Sequence, residues 1–239
     1  MKPADLCSED VKNLLDSLLG SLASKYFDAA DQKNVPITRF NPLKHHSCFQ
    51  EDLLTKEGFQ FDALRGIPGY KVLHQPVPIG KSLSHFLGHI YIQDASSMLP
   101  ALILDPKPGE RILDLCAAPG SKTTQIAAMM QNRGVLIATD LSSKRIRSLV
   151  FNLRRMGAIN TAVLKAFGEQ AGNLYFEYFD RVLLDPPCSA LGTIHKSPEV
   201  LSWWSFERTR RLCTVQKKLL ESALKSLRPG GVLVYSTCT

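Results

Sequence analysis

None of the six cysteines pairs as CxxC, no apolar run reaches the roughly twenty residues of a membrane span, and the opening MKPADLCSED has neither a basic amphipathic helix nor a hydrophobic leader. Without CxxC or a close Cys/His set, a metal site is not expected. Cys7, Cys48, Cys116, Cys188, Cys213 and Cys238 are expected as free thiols in a reducing compartment. The missing leader and missing apolar run predict an intracellular protein without a membrane partner, cytoplasmic, or nuclear or nucleolar in a eukaryote. Two glycine-rich loops are also missing. There is no GxGxxG dinucleotide fingerprint. The Walker A pattern fails because Ser121 separates Gly120 from Lys122 and the earlier glycine is absent.

Hydrophobic residues make up 44% of the 239 positions and charged residues 21%, which predicts a packed core. Lys and Arg total 29 against 22 Asp and Glu, a net charge of +7, unevenly placed. Residues 5–31 are mostly acidic. The helix predicted over 143–156 carries Lys144, Arg145, Arg147, Arg154 and Arg155 and no acid. Such a face binds phosphates when several cations gather on it, although a charged helix face is more often only solvated.

Leucine spacing predicts a helix over 10–27, weakened by Gly20. Short strands and helices then suggest a small α+β lobe over residues 1–87. From residue 88 the pattern changes. Buried strands are predicted over 111–116, 135–139, 162–166, 181–184 and 232–235, with helices over 94–104, 122–131, 143–156 and 205–227. Apolar strands alternating with amphipathic helices make an α/β fold with a Rossmann-like parallel sheet covered on both faces. Such a sheet binds ligands at the carboxyl ends of its strands.

The first of these strands runs into Asp114-Leu115-Cys116-Ala117-Ala118-Pro119-Gly120-Ser121-Lys122-Thr123, where small residues let the backbone turn and approach a ligand. The second strand ends in Asp140, 26 residues after Asp114, a position from which a carboxylate can grip a ribose diol. With no pyrophosphate cradle, a nucleoside-type cofactor without phosphates fits better. The plain alternative is a tight strand-to-helix turn.

The decapeptide starting at Asp114 resembles the cofactor motif of the Sun-type (NOL/NOP/Sun) RNA 5-methylcytosine methyltransferases. Four other segments also resemble that family: Arg39-Phe40-Asn41-Pro42-Leu43-Lys44, Tyr91-Ile92-Gln93-Asp94-Ala95-Ser96-Ser97, Asp185-Pro186-Pro187-Cys188-Ser189 and Tyr235-Ser236-Thr237-Cys238. The resemblance covers about residues 35–239. It implies a class I methyltransferase sheet over residues 88–239, a lobe over 1–87 that helps hold RNA, and S-adenosylmethionine as cofactor. By resemblance, Cys116, Ala117, Ala118, Pro119, Gly120, Ser121 and Lys122 line the cofactor site. Asp140 binds the ribose, Arg145 and Asp185 lie beside the cofactor, and Glu169 stands in for the family's usual Asp after the third strand. Arg39, Lys44, Lys144, His195 and Lys196 are the expected RNA contacts. Trp203 and Trp204 either stack on a base or fill a core, and the core reading is preferred.

Cytosine C5 is a poor nucleophile, so methylating it calls for a thiolate that adds to C6 and makes C5 enamine-like. Cys188 and Cys238 follow the fourth and fifth strands, and from the residues alone either serves. The resemblance assigns the attack to Cys238 and product release to Cys188, whereas DNA cytosine-5 methyltransferases attack from the Pro-Cys position. Asp185 orients the cytosine by accepting from its N4 amino group or, if protonated, by donating to N3. Lys122 sits by the cofactor or the target pocket. The usual methyltransferase sheet has seven strands and five are predicted here, so its last strands are expected to be missing. An exposed sheet edge open to a protein partner and a loosely held Cys238 follow as expectations. A noncatalytic RNA-binding or scaffold role and a DNA methyltransferase are the alternatives.

Overall fold

The computed structural model describes residues 6–31 and 35–238. Residues 1–5 of the expected N-terminal lobe, and Thr239 after Cys238, lie outside the described residues. The chain forms two compact units. The first comprises Met1–Asn34, Pro186–Lys218 and Thr237–Thr239, the second Val35–Asp185 and Leu219–Ser236.

The first unit opens with α1 (Glu9–Leu19) and α2 (Ala23–Asp31), where one helix was predicted. The Ser8 hydroxyl accepts from Val11 N at 3.4 Å, and Glu9 and Asp10 complement the dipole of the first turn. Gly20, at φ +51°, ends α1, because a left-handed residue cannot carry the helix on.

In the second unit β1 (Ile37–Phe40), α3 (Ser47–Lys56), β2 (Gln60–Ala63), β3 (Tyr70–His74), α4 (Leu83–Phe86) and β4 (Ile90–Ile92) form a lobe whose antiparallel sheet runs β2-β3-β1-β4. Phe40, Leu54, Phe59, Val72, Ile79 and Ile90 fill its core. The boundary expected at residue 87 therefore moves. β4 pairs with β1 through Thr38↔Ile92, Arg39↔Tyr91 and Phe40↔Ile90, so the sheet reaches past it. The described residues 6–31 belong to the other unit. Both shifts come from long-range pairing and packing, which composition does not register.

The chain continues through α5 (Ala95–Leu104), β5 (Arg111–Leu115), α6 (Ser121–Met129), β6 (Val135–Asp140), α7 (Ser143–Met156), β7 (Thr161–Lys165), α8 (Ala171–Leu174) and β8 (Phe179–Leu184). After α9 (Val200–Trp203) and α10 (Phe206–Ser226) it ends in β9 (Leu227–Tyr235). All five predicted strands are present and parallel, in the order β7-β6-β5-β8-β9. Ala101 and Leu104 of α5, Ile126 and Ala127 of α6, and Met130 just after it pack on Ile112, Leu136, Leu183 and Val234 of the sheet. α7 is capped by Ser142, whose hydroxyl accepts from Arg145 N at 3.3 Å, and it buries Leu149, Leu153 and Met156. The chain winds outward from β5 to β7 and then crosses back to β8. The topological switch point thus lies between β5 and β8, where an open α/β sheet presents a crevice.

α9 and the start of α10 return to the first unit. Its core joins Val11, Leu15 and Ala23 to Leu191, Ile194, Val200, Leu201 and Trp204. No described helix is long and apolar enough to cross a membrane.

Candidate active site

At the end of β5 the backbone turns through Cys116 at φ +63° and Gly120 at φ +102°. Ala117 N donates to Thr139 O at 2.8 Å, tying the loop to β6. Gly120 suits this turn chiefly through its backbone. Its φ is left-handed, and a Cβ there would meet Leu149 Cδ1 at 2.8 Å. Asp114 is 1% exposed and accepts from the Thr123 hydroxyl at 2.6 Å. Burial pushes its carboxyl up to about 7, against the Thr123 hydrogen bond and the Lys122 charge, with help from Asp185 and Asp140. Burial, reinforced by Asp140 and Asp114, pushes the Cys116 thiol up to about 12, so it stays protonated and unreactive.

Asp140 ends β6, 4% exposed, and accepts from Ser142 N on Oδ1 at 2.9 Å and from Ala118 N on Oδ2 at 3.3 Å. Arg145, on the first turn of α7, pairs with Asp140 Oδ2 at 3.3 Å and donates to the Ala118 carbonyl. The second predicted strand end and the loop after the first are therefore one cluster, with Cys116, Ala117, Ala118 and Arg145 gathered around Asp140. Glu169 sits half-buried in a single 3-10 turn, Gly168–Gln170, after β7.

At the switch point Lys122, one residue into α6, donates from Nζ to Asp185 Oδ2 at 2.6 Å. Both side chains are largely enclosed, 14% and 34% exposed, so the pair is less screened than a surface pair. The other carboxylate oxygen, Oδ1, accepts from the Ser236 hydroxyl at 2.8 Å. Ser236 N also donates to Leu184 O at 2.9 Å, carrying the β8–β9 pairing one step beyond Leu184↔Tyr235. Ser236 lies within the segment Tyr235-Ser236-Thr237-Cys238, but sequence reasoning assigned it no role, since one serine after a strand has no local signature of its own.

Cys188 and Cys238 belong to the first unit, where their sulfurs meet in a disulfide with Cα atoms 6.2 Å apart. Cys238 O accepts from Gly192 N at 2.8 Å, and Pro187 O accepts from Gln216 Nε2 at 2.8 Å, so both cysteine segments are anchored. The expected fraying of Cys238 is not what the structure has: that backbone bond and the sulfur link hold it.

Among the expected RNA contacts, Lys44, Lys144, His195 and Lys196 are exposed. Arg39 is not. It is 3% exposed, donating to Gln93 Oε1 at 2.7 Å, Ser121 O at 3.2 Å and Thr124 Oγ1 at 2.6 Å. Its place on the inward face of β1 turns a cation expected at the surface into a clamp on α6. Burial lowers its guanidinium to about 10, still protonated at neutral pH. Trp204 is 4% exposed in the first unit's core, whereas Trp203 is 37% exposed with Arg208 stacked 4.2 Å over its ring.

Comparison with known proteins identifies the family and the fold. The model of the family described as 16S rRNA methyltransferase RsmB/F matches residues 101–239. Ribosomal RNA small subunit methyltransferase F of Shewanella loihica is 42% identical over 211 residues, 85% of this chain and 43% of that protein. The protein of the same name from Salmonella paratyphi B is 47% identical over 167 residues, 69% of this chain and 35% of that one. The crystal structure of a methyltransferase homolog protein from Pyrococcus horikoshii has a TM-score of 0.85 and 36% identity, covering 99% of this chain and 75% of that one. The chain thus spans less than half the length of the two curated relatives. The class I methyltransferase fold and the Sun-type resemblance read from the motifs are borne out, and the chain belongs to the RsmB/F family of 16S rRNA methyltransferases.

Proposed function

We propose that this chain is the methyl-transferring part of an RNA cytosine-5 methyltransferase acting on rRNA or tRNA. The names of the Shewanella and Salmonella relatives favour small-subunit ribosomal RNA. One observation carries the chemistry. Cys188 and Cys238 each follow the carboxyl end of one of two neighbouring parallel strands, and their sulfurs meet. Two thiols so placed suit a reaction in which one sulfur attacks and the other helps it leave.

The residues present fit S-adenosylmethionine. Asp140 is a buried carboxylate at the end of the second strand, and an ionised carboxylate has about four lone-pair sites, more than its present donors fill. Ala117, Ala118, Pro119, Gly120 and Ser121 would hold the nucleoside part from the loop, with Glu169 toward the adenine. When bound, the cofactor supplies an electrophilic methyl group. Cys238, as thiolate, forms a bond to cytosine C6, and the displaced electron pair makes C5 nucleophilic. Once C5 carries the methyl group, Cys188 as the base takes the C5 proton, and the freed electron pair restores the C5–C6 double bond and expels the Cys238 thiolate. Asp185 accepts from the cytosine N4 amino group, and Lys122 balances its charge. Lys44, Lys144, His195 and Lys196 contact phosphates. A reducing intracellular setting belongs to the same reading, because Cys238 acts as a thiol. So does a further polypeptide covering β9, the last strand at one edge of the described sheet.

RNA carrying 5-fluorocytosine tests this, since fluorine at C5 blocks the proton loss. The reduced chain, and its Cys188→Ala variant, are expected to remain covalently attached to the RNA, and Cys238→Ala is not. Absence of an adduct with the unaltered protein and the correct RNA removes the enzyme reading. An adduct that survives Cys238→Ala but not Cys188→Ala reverses the two roles, and an adduct on matched DNA alone points to a DNA enzyme.

A further inference from the structure

We propose that Ser236 is a positioning residue for the transfer reaction, setting the plane in which the Asp185 carboxylate meets the base. The inference rests on the reaction proposed above and adds a residue to it.

A carboxylate held by one flexible donor can turn about its own bond. Lys122 alone is such a donor, because an ammonium at the end of a four-carbon stem accepts many orientations. Asp185 instead has one donor on each oxygen, Lys122 Nζ at 2.6 Å on Oδ2 and Ser236 Oγ at 2.8 Å on Oδ1. Two donors on separate oxygens fix both the position and the plane of the group. Its remaining lone pairs then point in set directions, ready to accept from a substrate amino group.

Ser236 is itself a stiff support. Its amide donates to Leu184 O at 2.9 Å, so its Cα is held by the β8 backbone directly before Asp185. The Asp185 amide reaches Leu115 O at 3.5 Å, on the other neighbouring strand. Lys122 comes from the first turn of α6. Three consecutive strands of the sheet and one helix N-terminus thereby converge on one carboxylate. The hydroxyl is small and half-buried, and it gives its one proton to Asp185. An acceptor that orients a reacting ring must stay within a fraction of an ångström of its working geometry, which is the condition this arrangement meets.

The reduced chain and its Ser236→Ala and Ser236→Thr variants are compared for methyl transfer to one RNA and for cofactor affinity. Losing one hydrogen bond to a charged group is expected to lower kcat roughly tenfold in Ser236→Ala, about 1.4 kcal/mol. KM for RNA and Kd for the cofactor should move less than about twofold, because the group orients and does not bind. Ser236→Thr keeps the hydroxyl and should recover most of the rate. Crystal structures of the three proteins supply a readout independent of turnover, with the Asp185 carboxylate plane expected to be shared by the unaltered chain and Ser236→Thr and turned in Ser236→Ala. An unchanged kcat in Ser236→Ala overturns the proposal, as does an Asp185 carboxylate plane that is the same in Ser236→Ala as in the unaltered chain. If the unaltered chain neither methylates nor traps RNA, the transfer reading fails, and the carboxylate plane still decides whether Ser236 fixes Asp185.

Discussion

Arg39 on β1 donates from Nη2 to Thr124 Oγ1 on α6 at 2.6 Å, tying the antiparallel sheet to the helix that carries Lys122. The same guanidinium reaches Ser121 O at 3.2 Å, one residue before that lysine. The Tyr91 ring lies under it at 5.2 Å, and among the described residues no carboxylate pairs with it. Hydrogen bonds and the ring together take the place of an ion pair.

Arg39→Ala is therefore expected to destabilise the fold by about 2–3 kcal/mol, since it strands the Gln93 amide oxygen and the partners on α6. Arg39→Lys should restore only part of this, because an ammonium cannot reach three acceptors with a planar fork. Urea unfolding measures both. RNA affinity at constant fold should be unaffected, in contrast to a surface cation.

The buried Asp114 makes stability depend on pH in a defined direction. Its folded value of about 7 lies above the unfolded value. The folded state therefore holds this proton more tightly, and the corresponding stability is complete below about pH 4, the unfolded range. It is lost as pH rises through the folded value of about 7. Melting temperatures of the unaltered chain are expected to fall, relative to Asp114→Asn, across that window. A constant difference between the two proteins would show that burial does not govern this carboxyl.

The Cys188–Cys238 link has a direct consequence for handling the protein. A sulfur in a disulfide is not a thiolate and cannot add to C6. Covalent trapping of 5-fluorocytosine RNA should need a thiol reductant, with little adduct under oxidising conditions and recovery on reduction. Cys188→Ala should trap without reductant, because the partner sulfur is gone. Gel mobility of the adduct reads each case.

On α7, Lys144 and Arg147 are both exposed on a helix without acidic residues. If each contacts one phosphate of single-stranded RNA, each alanine substitution should reduce the slope of log affinity against log salt by about 0.7. Binding measured across a salt series checks this. A weakened affinity with an unchanged slope would mean that the residue acts through the fold rather than through phosphate.

The order of strands and helices was legible in the residues because it depends on short-range periodicity. Apolar runs at 111–116 and 181–184 and the basic amphipathic stretch at 143–156 become β5, β8 and α7 with ends shifted by a few residues or less. The positions of Asp140, Asp185, Cys188 and Cys238 after strand ends follow from the same periodicity, since a parallel sheet gathers those ends on one rim. What required the folded chain is long-range. Arg39 turns inward because β1 has a buried face, a matter of which strands flank it: β3 and β4. Residues 6–31 leave the lobe they precede because Val11 and Leu15 pack against Leu201 and Trp204, nearly two hundred positions away. Ser236 meets Asp185 across 51 positions through two side-chain atoms. No local pattern marks such a pair, because a single hydrogen bond between two strand ends leaves no period, no cap and no turn in the sequence.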